Sequence, residues 1–172
     1  MKPTMYLAGA IRDNNAADIA WREFVIKEVG DVATIWSPVA GKTFCPETKM
    51  WDMGGVVPLA PVIVDHDFWH VDNANINLFN FTALSEGYPN IGTLIEFGRA
   101  TKSKGAGRCV IYTVIDPAYA GHGNVGLFKL HPFIQYNSSI IFPTIEALTT
   151  FLKRYLPAFT GQDPRFGGYV KS

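Results

Sequence analysis

Two carboxylates stand out by their neighbours. Glu96 lies in Gly92-Thr-Leu-Ile-Glu-Phe-Gly-Arg-Ala100, where Thr93 and Glu96 have the spacing of a capping box, a helix-start device explained by hydrogen bonding alone. Gly92, however, leaves room for a ligand close to the backbone, and Ile95 and Phe97 put apolar groups beside the carboxylate in sequence. A helix N-terminus also favours the ionised form that a nucleophile needs. Asp67, in Ile63-Val-Asp-His-Asp67, is the second candidate. A solvated acidic helix face would account for it, yet two acids in one pocket can divide the roles of nucleophile and proton source in a glycosidic displacement.

His66 and His70 stand at the i, i+4 spacing that puts two imidazoles on one helical face, but the glutamate of His-Glu-x-x-His is missing and no third ligand is evident in sequence. No metal is expected. His122 and His131 fall in a glycine-containing loop, where exposed or packing roles are the ordinary ones. Trp21, Trp36, Trp51, Trp69, Phe44 and Phe68 read mostly as core, with one or two available to stack on a base. Neither Gly-x-Gly-x-x-Gly nor a Walker loop occurs, so no cofactor is expected.

The elements that must position these residues alternate between strands and helices. Thr4 to Gly9 reads as a buried strand ending in glycine. A helix follows, capped from Asp13 to Asn15, striped by Ile19, Phe24 and Ile26 to Val29, and ended by Gly30. Val32 to Trp36 reads as a strand, Val62 to Asn73 as a helix bearing Asp67, and Ile76 to Phe81 as a strand. Ser85 to Ile91 is turn-rich, Gly92 to Lys104 a helix, Arg108 to Val114 and Ser138 to Phe142 strands, and Thr144 to Tyr155 a helix. The pattern predicts a single α/β domain over 1–172, a doubly wound, flavodoxin- or Rossmann-like parallel sheet of about five strands. Functional loops beyond Gly9, Phe81 and Val114 should converge at the strands' carboxyl ends. Ser37 to Leu59 is a long Pro- and Gly-rich loop expected to act as a lid or subunit contact, and the tail from Pro157 to Ser172 has no pattern.

Composition narrows the partners. Fifteen basic and fifteen acidic residues cancel, so no global field attracts a nucleic-acid polymer or an anionic membrane. A 48% hydrophobic share over 172 residues supports a real core. Cys45 and Cys109 read as reduced thiols, and neither the N-terminal apolar run nor Gly54 to Val64 reads as a signal or a membrane span. A cytoplasmic location is the expectation.

Four stretches resemble the nucleoside 2-deoxyribosyltransferases and their glycosidase relatives, over about Tyr6 to Pro132. They are Tyr6-Leu-Ala-Gly-Ala-Ile11; Trp21-Arg-Glu-Phe24 with Trp36-Ser-Pro38 and Gly41-Lys42; Ile63-Val-Asp-His-Asp67 continuing through Val71 to Asn75-Ile-Asn-Leu-Phe-Asn80; and, most specifically, Gly92 to Ala100. The resemblance implies that Glu96 is a nucleophile forming a covalent deoxyribosyl-enzyme, that Asp67 supports protonation of the base and that Tyr6 orients Glu96. It places Gly9 and Gly92 at the substrate, and Asn90 where the transferases carry an aspartate holding the sugar 5′-hydroxyl. It matches Asn124 to a residue lent by a neighbouring subunit, and so implies a homo-oligomer with a shared active site.

Asn75 stands where the family's strand usually begins with aspartate. Arg12 resembles an arginine with which nucleotide-hydrolysing relatives grip a 5′-phosphate, without the accompanying serines. Three expectations follow: base exchange between 2′-deoxyribonucleosides in nucleoside salvage, with nucleosides and free bases as partners; hydrolysis of a nucleoside or its 5′-monophosphate through the same glutamate; or a binding or sensor domain without turnover.

Overall fold

The structure, a computed structural model, describes residues 2–12, 16–45, 50–52, 60–88, 90–115 and 131–159. In chain order the elements are β1 (Thr4–Gly9), α1 (Ala16–Val29), β2 (Thr34–Trp36), β3 (Thr43–Cys45), β4 (Met50–Asp52), α2 (Ala60–Asn73), β5 (Ile76–Asn80), α3 (Thr82–Ser85), α4 (Ile91–Gly105), β6 (Val110–Val114), α5 (Pro132–Asn137), β7 (Ile140–Phe142) and α6 (Ile145–Phe159). Five strands form one sheet in the order β2-β1-β5-β6-β7, every pairing parallel. The predicted doubly wound sheet is therefore the fold.

Both faces are covered, which is why the inner strands read as continuous apolar runs. Because side chains alternate along a strand, Met5 and Leu7 of β1 join Val25 and Val29 of α1 and Leu148, Leu152 and Leu156 of α6 in one core. Tyr6 and Ala8 join Val71 of α2 and Phe97 and Ala100 of α4 in the other. That alternation delivers Tyr6 to the α2/α4 face. The order of the strands reverses at β1, so the crevice between the carboxyl ends of β1 and β5 is where such a sheet accepts ligands.

Several local expectations are corrected. The stripe of α1 is phased differently: Asp18, Arg22, Val25 and Val29 are buried while Ile26 is exposed, because Arg22 finds carbonyl acceptors at the carboxyl end of β1. The 37–59 segment carries the antiparallel hairpin of β3 and β4. The helices Thr82–Ser85 and Pro132–Asn137 were too short to leave a periodic signal, and His131 caps the second by accepting from the Phe133 amide. The last helix runs on past Tyr155, through Pro157 to Phe159. Among the described residues no helix is long and apolar enough to cross a membrane.

Asn75, just before β5, proves to be a latch. Its Oδ1 accepts from the Thr4 amide (2.9 Å) and Thr4 hydroxyl (3.0 Å), and its own amide donates to Thr4 Oγ1 (3.1 Å). The two central strands are pinned together at their start, away from the crevice.

Candidate active site

A pocket of about 470 Å³ opens at that crevice, within the range of small-molecule sites. The loop after β1 contributes Gly9 and Ile11, the loop after β2 Pro38, and α2 Ile63, Val64, Asp67 and Phe68. The segment leading into α4 and its first turns contribute Tyr88, Asn90, Ile91, Gly92, Thr93, Ile95 and Glu96. The fold thus brings Gly9, Asp67, Asn90, Gly92 and Glu96 together from three separate stretches, as expected for the loops after Gly9 and Phe81, while the loop after Val114 lies outside the described residues from 116 to 130.

Glu96 is no capping residue. The helix starts at Ile91 with Asn90 as N-cap, which moves Thr93 into the first turn and Glu96 into the second. Thr93 Oγ1 instead donates to Asn90 Oδ1 at 2.6 Å. Freed from the helix end, Glu96 accepts from the Tyr6 hydroxyl at 2.7 Å. The helix-end argument for an ionised carboxylate is replaced by an opposing one: burial lifts Glu96 to about 7, with the Tyr6 hydrogen bond pulling it down, the Asp67 charge pushing it up and Arg22 pulling it down. The Tyr6 phenol, wholly buried beside two carboxylates, is driven well above its ordinary value and stays a donor.

Asp67 is partly buried and takes a hydrogen bond at 3.1 Å from His66 Nδ1. Asn90 is buried in the left-handed backbone region, φ 45° and ψ 43°. Its carbonyl accepts from the Leu94 amide at 3.1 Å, its Oδ1 is taken by Thr93, and its Nδ2 has no partner among the described residues. A buried amide left without an acceptor is costly, and this one belongs to a residue that lines the pocket. Gly9 is demanded by packing: a Cβ there would meet Trp21 Cζ2 at 2.9 Å and the Asn80 carbonyl oxygen at 3.3 Å. At Gly92 a Cβ would meet no protein atom within 4 Å, so the space over its backbone is open to a ligand.

Arg12 lies outside this lining. Its Nε and Nη2 donate to Asp18 at 2.9 and 2.7 Å, and its Nη1 donates to Glu86. Two carboxylates thus occupy the guanidinium and hold its proton all the more firmly. Asn124 and His122 lie outside the described residues.

Two features escaped the sequence reading. Arg22 is buried under the β1 loop, donating to the Gly9 carbonyl (2.9 Å), the Ala10 carbonyl (3.2 Å) and that of Asp18. Burial pushes it down to about 10, against the pull of Tyr6, Asp18, Glu96 and Asp67, so it stays a cation at neutral pH beneath the pocket's acids. The spacing Asp18, Arg22, Val25, Val29 was its signal. His70 stacks parallel to Tyr6 with ring centroids 5.8 Å apart, and His66, Asp67 and His70 offer ligand atoms that all lie within 4.8 Å of one another. Asp67 thus stands beside the two imidazoles, a proximity that the sequence did not reveal.

What the arrangement can do is specific. A half-buried carboxylate aligned by a phenol, a second carboxylate in the same apolar pocket and a buried amide donor are the groups that a nucleophile, a proton source and a positioning group would require for a small polar molecule.

No family model and no curated protein matches the chain. Solved structures do. The chain is similar to a 2-deoxyribosyltransferase from Leishmania mexicana, at 15% identity and a TM-score of 0.58 over 89% of this chain and 99% of that one. It is similar to a 2-deoxyribosyltransferase from Bacillus psychrosaccharolyticus, at 16% identity and a TM-score of 0.55 over 87% and 95%. It also matches a CMP N-glycosidase from Clostridium botulinum, at 13% identity and a TM-score of 0.52 over 88% and 98%. The fold is thus that of the nucleoside deoxyribosyltransferase-like enzymes named from the sequence, N-glycosidase relatives included.

Proposed function

We propose that this chain exchanges bases between 2′-deoxyribonucleosides by double displacement at Glu96. The observation that carries the reading is the 2.7 Å hydrogen bond from the Tyr6 hydroxyl to Glu96 Oε1 inside a pocket that also holds Asp67. A Glu96 carboxylate oxygen attacks the anomeric carbon, the bond from that carbon to the base nitrogen breaks, and its electron pair leaves with the base, which takes a proton from Asp67. A second base then attacks the same carbon through nitrogen, the ester to Glu96 breaks, and the proton lost by the incoming base returns to Asp67. Two inversions retain configuration.

With about 7 as its ionisation point, Glu96 is divided between acid and carboxylate near neutrality. Tyr6 supports the attacking form by donating to it. The Arg22 cation below supports the same ionised form.

The described lining favours an uncharged substrate. It holds two acids and no basic side chain, while Arg12 is engaged by Asp18 and Glu86. A phosphate dianion would meet repulsion where a nucleoside's hydroxyl meets the Asn90 amide. Water can replace the incoming base without any change of residue, which keeps hydrolysis of the nucleoside as the nearest alternative.

The test is incubation with thymidine plus adenine, and separately with nucleoside 5′-monophosphates, followed by chromatography. Deoxyadenosine should form, and Glu96→Ala and Glu96→Gln should abolish it while circular dichroism stays unchanged. Undiminished transfer in those variants sinks the proposal. Base release from monophosphates alone, weakened in Arg12→Ala, would replace it with nucleotide hydrolysis.

A further inference from the structure

We propose that His66, Asp67 and His70 on α2 form a binding site for a late first-row divalent cation, with Zn²⁺ as the reference ion, and that filling it switches the pocket off. Residues four apart on a helix lie on one face, so the two imidazoles share a face of α2. Their rings approach to 4.3 Å between centroids. Asp67 joins them, its Oδ1 already 3.1 Å from His66 Nδ1.

The ligand atoms of all three residues lie within 4.8 Å of one another. Bonds of about 2 Å in a tetrahedral site put ligand atoms roughly 3.3 Å apart, so small side-chain rotations close the set. All three are partly buried, sheltered yet reachable from solvent.

The His70 ring is prepared as a ligand. Its Nδ1 lies 2.9 Å from the His66 carbonyl, which can only accept, so Nδ1 carries the hydrogen and Nε2 presents a bare lone pair. A backbone carbonyl holding the far nitrogen is the usual support behind a metal-binding histidine. Rings on several sides fix its orientation: Trp36 at 5.0 Å, Trp69 at 5.2 Å and Tyr6 at 5.8 Å. Two imidazoles and one carboxylate suit Zn²⁺, Cu²⁺ or Ni²⁺ and do not suit Mg²⁺.

Asp67 belongs to both places, since it also lines the pocket. A cation bonded to its carboxylate occupies the lone pair that would carry the proton to and from a base. The inhibitory half of the proposal rests on the function proposed above; the binding half stands without it.

Calorimetric titration of the full chain with ZnCl₂, in a buffer that does not chelate, should show one equivalent bound and no heat from MgCl₂. His66→Ala and His70→Ala should each weaken binding by at least about tenfold, and His131→Ala should leave it unchanged. Absence of stoichiometric binding, or binding that survives both α2 substitutions, overturns the site. Circular dichroism checks the fold; should His70→Ala unfold, the more exposed His66 decides alone. In the transfer assay Zn²⁺ should inhibit, EDTA should restore activity, and His66→Ala should need at least about ten times more Zn²⁺ for half-inhibition. Full activity with Zn²⁺ bound overturns the switch, whereas absence of transfer even without Zn²⁺ counts against the proposed function and leaves calorimetry to judge the site.

Discussion

Replacing Glu96 should make the protein more stable, by an amount set by pH. Burial lifts Glu96 from 4.5 to about 7, which means the folded state holds the proton more tightly than the unfolded chain. At about 1.4 kcal/mol per pKa unit the full displacement corresponds to roughly 3 kcal/mol. The sign follows from linkage: as pH rises through the window from 4.5 to about 7, the unfolded chain loses this proton first, so stability falls there and levels off above it. Glutamine is neutral at every pH and can still accept from the Tyr6 hydroxyl through its carbonyl oxygen, so Glu96→Gln removes the cost of a buried charge. Allowing for the pocket's opening to water, the variant should gain about 2–3 kcal/mol near pH 9, or roughly 5–10 °C in melting temperature for a domain of this size. The gain should shrink to a few tenths of a kcal/mol near pH 4. Differential scanning calorimetry of both proteins across that pH series measures it. A variant that melts below the parent near pH 9, or a gap that does not change with pH, would refute the reasoning that desolvation governs this carboxylate.

Transfer by the parent protein should rise with pH through about 7 as Glu96 ionises. Tyr6→Phe, which removes the hydrogen bond that holds Glu96 down, should move that limb to higher pH and slow turnover by about ten- to a hundredfold, as pH profiles of kcat/KM will show. Gly9→Ala forces a methyl group against Trp21 and the Asn80 carbonyl; urea denaturation should register a loss of about 1–3 kcal/mol. Asn75→Ala unlatches β1 from β5 and should cost about 1–3 kcal/mol in the same assay while leaving KM for the deoxynucleoside unchanged.

The fold was legible because two signals agreed. Apolar runs ending at Gly9 and near Phe81 marked buried parallel strands, and polar-faced segments between them marked the covering helices. Sheet topology then implied that Gly9 and the segment before Glu96 would meet. The pairing of Tyr6 with Glu96 came from resemblance, since no spacing rule links residues 90 apart in sequence. The helix itself was placed to within a residue of its start, but its cap was misplaced because Thr93 and Glu96 satisfy the capping-box pattern, whereas the cap is Asn90, whose left-handed conformation leaves no periodic trace. Arg22 escaped notice because a cation on an apolar stripe is ordinarily read as exposed, and its carbonyl acceptors are supplied by a loop that only the fold brings close.

The left-handed turn at Asn90 also limits how this site can diversify. Outside glycine, asparagine and aspartate are the residues that adopt this backbone most readily, so the corner of the pocket facing the substrate has a short menu of side chains. Exchanging asparagine for aspartate there alters charge and hydrogen-bonding sense while the helix entry stays the same. Libraries built to redirect specificity therefore gain more from Ile91, Ile95 and Tyr88, which line the same pocket and where the main chain imposes no such restriction.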